Sequence, residues 1–357
     1  MTERVHQLGI PALSPTPSER VYDKPLSTRK ESRQWRRENK REGLVGLALL
    51  LFGYLVFEYY RESDAPFLKS PKFTRFSIIS KEEVSPTSFI VTLRPQSHID
   101  KPGLAGRSDH YTKEWERGTW SVEFKQPELQ IARSYTPLPP RPDDKPGDLR
   151  FLIREEANGE MSRYLARLAE GDKVELRGPH TELELPAEVR DVLFLAGGTG
   201  IAPALQVAHT LLEVRKTSEE LPNIHIVWSN RRREDCVGGT DLQPTSATEG
   251  VGGPIVQELR RLQGKYPNNV KVDYFVDEEG RWVDQGTISR LTKRQSNLTH
   301  QAMSSRIDSR LLFISGPQGF VSFLAGPKKY WGGKEVQGDI GGLIGKMGIR
   351  DWKVWKQ

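Results

Sequence analysis

The sequence predicts an antiparallel β-barrel followed by a parallel-sheet α/β domain, with an N-terminal membrane anchor preceding both. Short apolar runs separated by turn residues occupy 66–187, which is typical of an antiparallel barrel. Fully apolar runs alternate with helical stretches through 188–357, the pattern of a parallel sheet covered by helices. An apolar segment at 43–60 supplies the anchor, and a polar tail at 1–42 precedes it.

The tail at 1–42 is basic and poor in apolar residues, which predicts disorder. It holds ten Lys and Arg against six Asp and Glu, so it carries +4 of the formal net charge of +6. Because the rest of the chain carries only +2, we expect no nucleic-acid partner. A mitochondrial presequence is an alternative for this tail, although its acidic residues count against one.

The anchor prediction rests on residues 43–57, which contain no charged side chain. With the two tyrosines that follow Glu58, a helix rising ~1.5 Å per residue over 43–60 just spans the hydrocarbon core of a bilayer. A buried core helix and a signal peptide are the alternatives, but a signal peptide normally starts nearer the N-terminus. Seven Lys and Arg between 29 and 41 place the tail in the charge-retaining compartment and the folded domains across the membrane.

The chain holds one cysteine, Cys236, and seven scattered histidines. A single cysteine excludes an intramolecular disulfide and any cluster held by several thiolates. No two histidines have the spacing of metal ligands on a helix, so we expect no metal site.

The segment Arg133–Pro137 suits a flat, anionic ligand. Arg133 can pair with a diphosphate, and Tyr135 can pack on a flavin or its ribityl chain. The Thr136 hydroxyl can reach a ring nitrogen, and Ser134 lies within the same short extended segment. Taken one by one, such residues are more often structural.

Residues 159–165 begin an amphipathic helix. Gly159, Met161 and Ser162 lie at its start, where free backbone N–H groups and the Ser162 hydroxyl can face a pyrophosphate. An ordinary helix cap is the alternative and, for this segment alone, the commoner outcome.

A glycine turn joins the apolar run Val192–Leu195 to a helix. Its residues are Gly197, Gly198, Thr199 and Gly200. Glycines let backbone N–H groups approach phosphate oxygens, and the helix N-terminus adds a favourable partial charge. Many α/β folds use such a turn only for packing. A second glycine-containing segment, Ser315, Gly316 and Pro317, follows the last apolar run at 311–314.

Found in this order, these segments resemble the ferredoxin-NADP reductase superfamily, most closely its NADH–cytochrome b5 reductase branch. The resemblance covers roughly Phe73 to the end and implies FAD on the barrel at 66–187. It also implies a nicotinamide nucleotide on the α/β domain at 188–357. Thr136 and Ser315 would then lie at the catalytic centre, where hydride passes from nicotinamide to flavin.

Three positions depart from the family pattern. Ser315 replaces the cysteine expected beside the nicotinamide, so we expect slower hydride transfer. Glu160 stands where lysine is common, which weakens dinucleotide binding. The chain ends in neither Phe nor Tyr, which leaves Trp352 or Trp355 to cover the flavin. A core or surface role for either tryptophan is equally open.

The coenzyme preference depends on residues 229–236, which follow the apolar run Ile224–Trp228. Arg231 and Arg232 favour the 2′-phosphate of NADPH. Asp235 keeps the alternative of NADH open, because an acidic residue favours the 2′-hydroxyl. A solvated charge run without any role in binding is the third alternative.

A narrower resemblance takes in the tail, the anchor and the ending 342–355. Together with the reductase core, these look like the fungal mitochondrial cytochrome c import factors. That resemblance implies a single-pass protein of the mitochondrial inner membrane with its reductase domains in the intermembrane space. Its partners would be haem and the cytochrome c haem-attachment machinery. The alternatives are a general cytochrome b5 reductase and an assembly or tethering factor without redox turnover.

Overall fold

The structure, a computed structural model, describes residues 44–54, 67–68, 70–100, 110–215, 220–240, 252–297 and 309–357. The chain divides into two compact units, Met1–Glu58 and Tyr59–Gln357.

In the first unit, residues 44–54 form helix α1. Its apolar side chains are exposed, among them Leu44 by 65%, Leu50 by 74% and Phe52 by 67%. Among the described residues, no helix is both long and apolar enough to cross a membrane. The rest of the anchor predicted at 43–60, and the tail predicted at 1–42, lie outside the described residues.

The second unit begins with an antiparallel lobe. Its strands are β1 (Thr74–Ser85), β2 (Ser88–Pro95), β3 (Gly118–Gln126), β4 (Ile131–Tyr135), β5 (Pro137–Leu138), β6 (Leu149–Arg154) and β7 (Lys173–Glu184). They form one seven-stranded sheet in the order β4-β3-β7-β1-β2-β6-β5. Every pairing in it is antiparallel, and the sheet makes the barrel expected from the sequence. Three short helices flank it: α2 (Gln96–Asp100), α3 (Thr112–Arg117) and α4 (Glu160–Arg167).

Aromatic side chains from neighbouring and facing strands fill the barrel. Phe124 of β3 packs edge-to-face on Phe151 of β6 and on Tyr135 of β4, with ring centroids 4.8 and 5.0 Å apart. Phe76 of β1 is fully buried in the same core. Because strand side chains alternate between faces, these positions produce the alternating pattern from which the barrel was predicted.

The remainder of the second unit is an α/β lobe. Its parallel strands are β8 (Asp191–Gly197), β9 (Asn223–Asn230), β10 (Val270–Val276), β11 (Arg310–Ser315) and β14 (Lys353–Lys356). Strands β12 (Lys329–Trp331) and β13 (Lys334–Val336) form a separate hairpin. The helices are α5 (Ile201–His209), α6 (Pro254–Lys265), α7 (Gln285–Asn297), α8 (Gln318–Ala325) and α9 (Gly342–Met347).

The parallel sheet has the order β10-β9-β8-β11-β14. The strand order reverses between β8 and β11, and a crevice opens at the carboxyl ends of strands where this happens. The predicted parallel-sheet class is therefore confirmed, and the two glycine segments of the sequence lie at this reversal.

One hydrophobic core continues from the barrel into the α/β lobe. Ile90 and Leu152 of the barrel belong to the same cluster as Phe194 and Leu205 of the α/β lobe. A core shared in this way means that the lobes pack as one unit. The boundary that we place between 187 and 188 stays a prediction.

The carboxyl-terminal segment forms β14, an edge strand that the sequence did not predict. Trp352 is 3% exposed in the core of the α/β lobe, and the Arg310 guanidinium lies 4.2 Å from the centre of its ring. Trp355 pairs in register with Phe313 and packs, partly buried, against the shared core. Of the alternatives for these tryptophans, the structure therefore supports the core role.

Candidate functional site

Two barrel segments and one turn of the α/β lobe meet at a cavity of about 430 Å³. The lining residues are Ile131, Arg133, Ser134, Tyr135, Leu152, Arg154, Glu156, Asn158, Gly159, Glu160, Met161, Ser162 and Thr199. The end of β4, the start of α4 and the glycine turn after β8 contribute the residues proposed from the sequence. Segments far apart in the chain thus converge on one space.

Arg133 presents an exposed guanidinium at this cavity. Among the described residues, its hydrogen bonding is limited to the carbonyl of neighbouring Ala132, which accepts from Nη1 at 2.8 Å. Arg154 in the same cavity is instead paired with Asp235, at 2.6 Å between Nη2 and Oδ2. A guanidinium without a carboxylate partner suits a phosphate, because its planar N–H groups can bond two oxygens at once.

Tyr135 is half-buried beside Arg133. Burial raises the pKa of its phenol to about 12, although the positive charge of Arg133 acts in the opposite direction. The phenol is therefore neutral at physiological pH and keeps its proton for donation. Thr136, also half-buried, lies between the end of β4 and the start of β5.

The turn that leads into α4 is tight at Gly159. A Cβ on Gly159 would lie 2.5 Å from Ser162 Oγ and 2.9 Å from Glu156 Cβ. Ser162 Oγ donates to the Gly159 carbonyl and accepts from the Glu156 backbone N–H, both at 3.1 Å. The hydroxyl therefore shapes the turn, and the first-turn N–H groups of α4 are left to face a ligand.

At the strand-order reversal, the two glycine segments lie backbone to backbone. A Cβ on Gly200 would overlap the carbonyl of Ser315, and one on Gly316 would lie 2.8 Å from the Gly197 carbonyl oxygen. Gly198 has a φ of +53° and open space where a Cβ would point. Pro317 is the residue that caps the start of α8. Close backbones and free space are what a pyrophosphate site at such a crevice requires.

Two residues that the sequence analysis missed support this turn from β9. Trp228 Nε1 donates to the Gly198 carbonyl at 2.9 Å and so fixes the turn. Asn230 is 3% exposed and lines a small crevice with Thr199 and Arg154. Within the described part of the chain, its amide nitrogen and oxygen have no hydrogen-bond partner. The available signal was their position at the carboxyl end of the strand beside β8.

The arginine run begins where the chain leaves β9. Arg231 and Arg232 are exposed, and Arg232 Nη1 lies 3.0 Å from Glu234 Oε1. Arg233 is bonded to both carboxylate oxygens of Glu279, at 2.7 and 2.5 Å. The first two arginines therefore remain accessible to a ligand, whereas Arg233 serves the local structure.

Asp235, the residue on which the NADH alternative rested, is 5% exposed. Besides its pairing with Arg154, it accepts a hydrogen bond from Ser85 Oγ at 2.8 Å. Its carboxylate connects the barrel to the α/β lobe. A cavity of about 370 Å³ lies beside the arginine run, lined by Arg233, Gly238, Gly239, Thr240, Tyr274 and Arg281.

Comparisons with known proteins agree with this geometry. Residues 118–185 match the family model described as oxidoreductase FAD-binding domain. The chain is 29% identical over 228 residues to NADH-cytochrome b5 reductase 2 of Kluyveromyces lactis, covering 63% of this chain and 67% of the relative. It is 25% identical over 357 residues to cytochrome c mitochondrial import factor CYC2 of Saccharomyces cerevisiae, covering 85% and 87%.

Among solved structures, a flavohemoglobin from Malassezia yamatoensis superimposes with a TM-score of 0.50 at 15% identity. The match covers 83% of this chain and 62% of that one, and at this identity it supports the fold alone.

The matched domain and the reductase relatives support an FAD-dependent oxidoreductase that uses a pyridine nucleotide. An arginine without a carboxylate partner among the described residues, a tight helix entry at Gly159 and a glycine crevice are the features that the two dinucleotides need, so the residues present fit both. The chain therefore contains an oxidoreductase FAD-binding domain over 118–185, and its relatives include a cytochrome b5 reductase and a cytochrome c import factor.

Proposed function

We propose that this protein oxidises NADPH and passes the electrons, by way of FAD, to ferric haem in mitochondrial cytochrome c assembly. The observation that supports the reductase most strongly is the meeting of Arg133, the start of α4 and Thr199 at one cavity. Bound FAD supplies the conversion of a two-electron hydride donor into a source of single electrons, which haem iron requires.

On the flavin side, the residues of the chain bind and orient. Arg133 and the first-turn N–H groups of α4 hold the FAD diphosphate. The Tyr135 ring packs on the flavin or its ribityl chain, and the Thr136 hydroxyl bonds a ring nitrogen. Hydride transfer needs no side-chain acid or base.

On the nucleotide side, the crevice between β8 and β11 holds the pyrophosphate. The backbone N–H groups of Gly198, Thr199 and Gly200 bond its oxygens, and Trp228 keeps that turn in place. Ser315 ends β11 with 4% exposure, directly before Gly316 and Pro317. In this arrangement it is the residue beside the nicotinamide.

We favour NADPH over NADH because the exposed cations of the arginine run suit a 2′-phosphate. Asp235 does not compete for the ribose, since Arg154 and Ser85 bind its carboxylate. NADH remains the alternative coenzyme.

The haem acceptor is inferred from the relatives. One is a cytochrome c import factor and another a cytochrome b5 reductase, and the first aligns over a larger share of this chain. A general cytochrome b5 reductase is the rival within the same class. A rival of another class is an assembly factor that binds the haem-attachment machinery without redox turnover.

We also propose that residues 43–60 anchor the protein in the mitochondrial inner membrane, with the reductase lobes in the intermembrane space. The import factor among the relatives supports the mitochondrial location. Exposed Leu50 and Phe52 on α1 suit an apolar environment. Protease protection of intact and outer-membrane-ruptured mitochondria tests the orientation, because only rupture should expose the lobes.

The reductase is tested by anaerobic titration of the full chain, in detergent, with NADPH and separately with NADH. A yellow protein that bleaches stoichiometrically supports the proposal. A colourless but folded protein overturns FAD binding. A yellow protein that neither nucleotide bleaches favours the assembly factor.

The acceptor is tested by mixing the reduced protein with ferric haem or with ferric cytochrome b5. Faster reduction of haem supports the assembly role, and faster reduction of cytochrome b5 favours the general reductase. In cells, Gly198→Glu should abolish haem attachment while the protein stays folded. Intact attachment with this variant would show that redox turnover is not needed.

A further inference from the structure

The hairpin formed by β12 and β13, residues 329–336, exposes large aromatic side chains. Tyr330 is 78% exposed and Trp331 is 81% exposed. Within the same part of the chain, Phe323 is 59% and Ile340 48% exposed. Side chains this exposed have few neighbours, so the hairpin projects from the lobe. Clustered exposed apolar residues of this kind mark an interaction site.

The strand register makes the hairpin amphipathic. Trp331 pairs opposite Lys334, and Lys329 opposite Val336. Since side chains two apart on a strand share a face, Lys329, Trp331 and Val336 lie on one side. Tyr330 and its partner Glu335 lie on the other. An aromatic ring and an aliphatic side chain are thus presented together with Lys329, whose ammonium group is paired with Asp339.

The base of this hairpin is firmly attached to the sheet. Lys356 of β14 is 2% exposed, and its Nζ donates to the carbonyls of Pro327 and Asp339, at 2.9 and 3.0 Å. Gln337 exchanges two hydrogen bonds with the backbone of Lys356, at 2.7 and 2.8 Å. A buried lysine therefore bonds the chain on both sides of the hairpin, which holds the exposed tip in one orientation.

Residues 327–357 carry an excess of positive charge, with seven Lys and Arg against three Asp and Glu, a net of +4. Lys328 and Lys329 are paired with Glu335 and Asp339, and Lys356 is buried, so these three add little to the charge at the surface. Lys346 and Arg350 are exposed within this segment. Such a segment is complementary to an anionic surface.

We propose that the 329–336 hairpin docks on the anionic surface of a lipid bilayer, with Tyr330 and Trp331 entering the headgroup region. Trp and Tyr combine an apolar ring with a polar atom, and they concentrate at membrane interfaces for that reason. A projecting tip needs no matching pocket in a fluid surface, whereas a protein partner must supply one. Nearby lysines and arginines add electrostatic attraction to anionic headgroups. This contact is separate from the anchor at 43–60 and does not depend on the reductase.

The test places a fluorescent label on the hairpin of the full chain. Trp331→Cys introduces an accessible thiol, whereas the native Cys236 is 1% exposed and its burial raises the thiol pKa to about 11. An environment-sensitive fluorophore therefore reacts at position 331. Trp282→Cys, at a site 61% exposed outside the hairpin, is the matched control. Both proteins are reconstituted in phosphatidylcholine vesicles with and without phosphatidylserine, and with doxyl-labelled lipid as quencher.

We expect a blue shift and several-fold quenching of the label at 331 in anionic vesicles, and no change at 282. Neutral vesicles should reduce the effect at 331. An unquenched label at 331 on vesicle-bound protein overturns the proposal. A blue shift of the label at 331 that appears without lipid also overturns the proposal, whether it follows addition of a haem protein or a rising concentration of the protein itself. Retained flavin absorbance shows that the variants are folded.

Discussion

The side chain of Gln206 bonds both backbone polar groups of Trp120 across the two lobes. Its Oε1 accepts from the Trp120 N–H at 3.0 Å, and its Nε2 donates to the Trp120 carbonyl at 3.2 Å. Nε2 also donates to the Pro137 carbonyl at 2.9 Å. Pro137 follows Thr136, and Gln206 lies on α5, which begins after Gly200. The buried side-chain amide of Gln206 therefore connects β3 and the start of β5, which follows Thr136, to the helix that follows the glycine turn.

Replacing this amide should destabilise the whole second unit. Gln206→Leu removes three buried hydrogen bonds, one to an N–H and two to carbonyls, which we expect to cost about 2–4 kcal/mol of unfolding free energy. Chemical denaturation followed by flavin fluorescence measures the loss. Gln257→Leu, on the exposed face of α6, is the control and should change stability by less than about 1 kcal/mol. Equal losses in both variants would contradict the role given to Gln206.

The sequence predicted the lobes well because their signals are local. Alternating runs such as Trp120–Phe124 and apolar runs such as Val192–Leu195 report the strand period and the burial of each strand. The candidate ligand-binding segments, in their order along the chain, were recognisable for the same reason. Each segment has the side chains of its function within a few consecutive positions.

Contacts between distant segments could not be predicted in this way. The sequence made Asp235 a candidate for the ribose. Its pairing with Arg154 depends on how the lobes pack, and the local sequence does not report that packing. β14 was missed because 353–356 is short and half of it is Lys, and its pairing with β11 decides its structure. Asn230 had only its position at the end of β9 as a sequence signal. Its interest comes from burial beside Thr199 and Arg154.

Arg133 should be the most sensitive side chain for flavin binding. Arg133→Ala removes a guanidinium that has no carboxylate partner among the described residues, so the variant loses phosphate contacts without exposing a buried charge. We expect the Kd for FAD to rise about 10- to 100-fold with little change in stability. Equilibrium dialysis of the apoprotein measures it. Arg167→Ala, at the exposed end of α4, should bind FAD normally. Unchanged FAD affinity in Arg133→Ala would remove this residue from the site.

Gly200→Ala should push the two glycine segments apart. The added Cβ overlaps the Ser315 carbonyl, which is backbone and has little freedom to move. We expect a loss of about 1–3 kcal/mol and weaker nucleotide binding. Gly264→Ala in α6 meets no atom within 4 Å and should stabilise the helix by about 0.5–1 kcal/mol. Thermal melts with and without NADPH compare the two. If Gly200→Ala changes neither stability nor nucleotide binding, the close approach of Gly200 to the Ser315 backbone is not maintained in solution.

Glu213 should make stability depend on acidic pH. Its carboxylate bonds His209 at 2.9 Å, Lys265 at 2.8 Å and Arg261 at 3.1 Å. The hydrogen bond from His209, followed by those from the two cations, holds its pKa below the usual value of 4.5. A lowered pKa in the folded state gives stability that is complete above about pH 4.5 and lost as the pH falls further.

Glu213→Gln should therefore lower stability near pH 7 by roughly 1–3 kcal/mol and flatten its decline between about pH 5 and 3. Denaturant midpoints across this pH range measure both effects. A variant that retains the slope of the unmodified protein would assign the acid sensitivity to other carboxylates.

Coenzyme preference should depend on the accessible arginines. Arg231→Ala and Arg232→Ala each remove a cation exposed where the chain leaves β9, so the 2′-phosphate of NADPH loses a partner while NADH does not. We expect kcat/KM for NADPH to fall about tenfold per substitution and that for NADH to stay within about twofold. Lys271→Ala removes the same charge near the amino end of β10, and it should leave both coenzymes unaffected. An equal fall for NADPH and NADH would indicate damage to the crevice rather than lost recognition. If kcat/KM falls for neither coenzyme, the arginine run is a solvated charge cluster. A preference for NADPH would then need another source, such as the cavity lined by Tyr274 and Arg281.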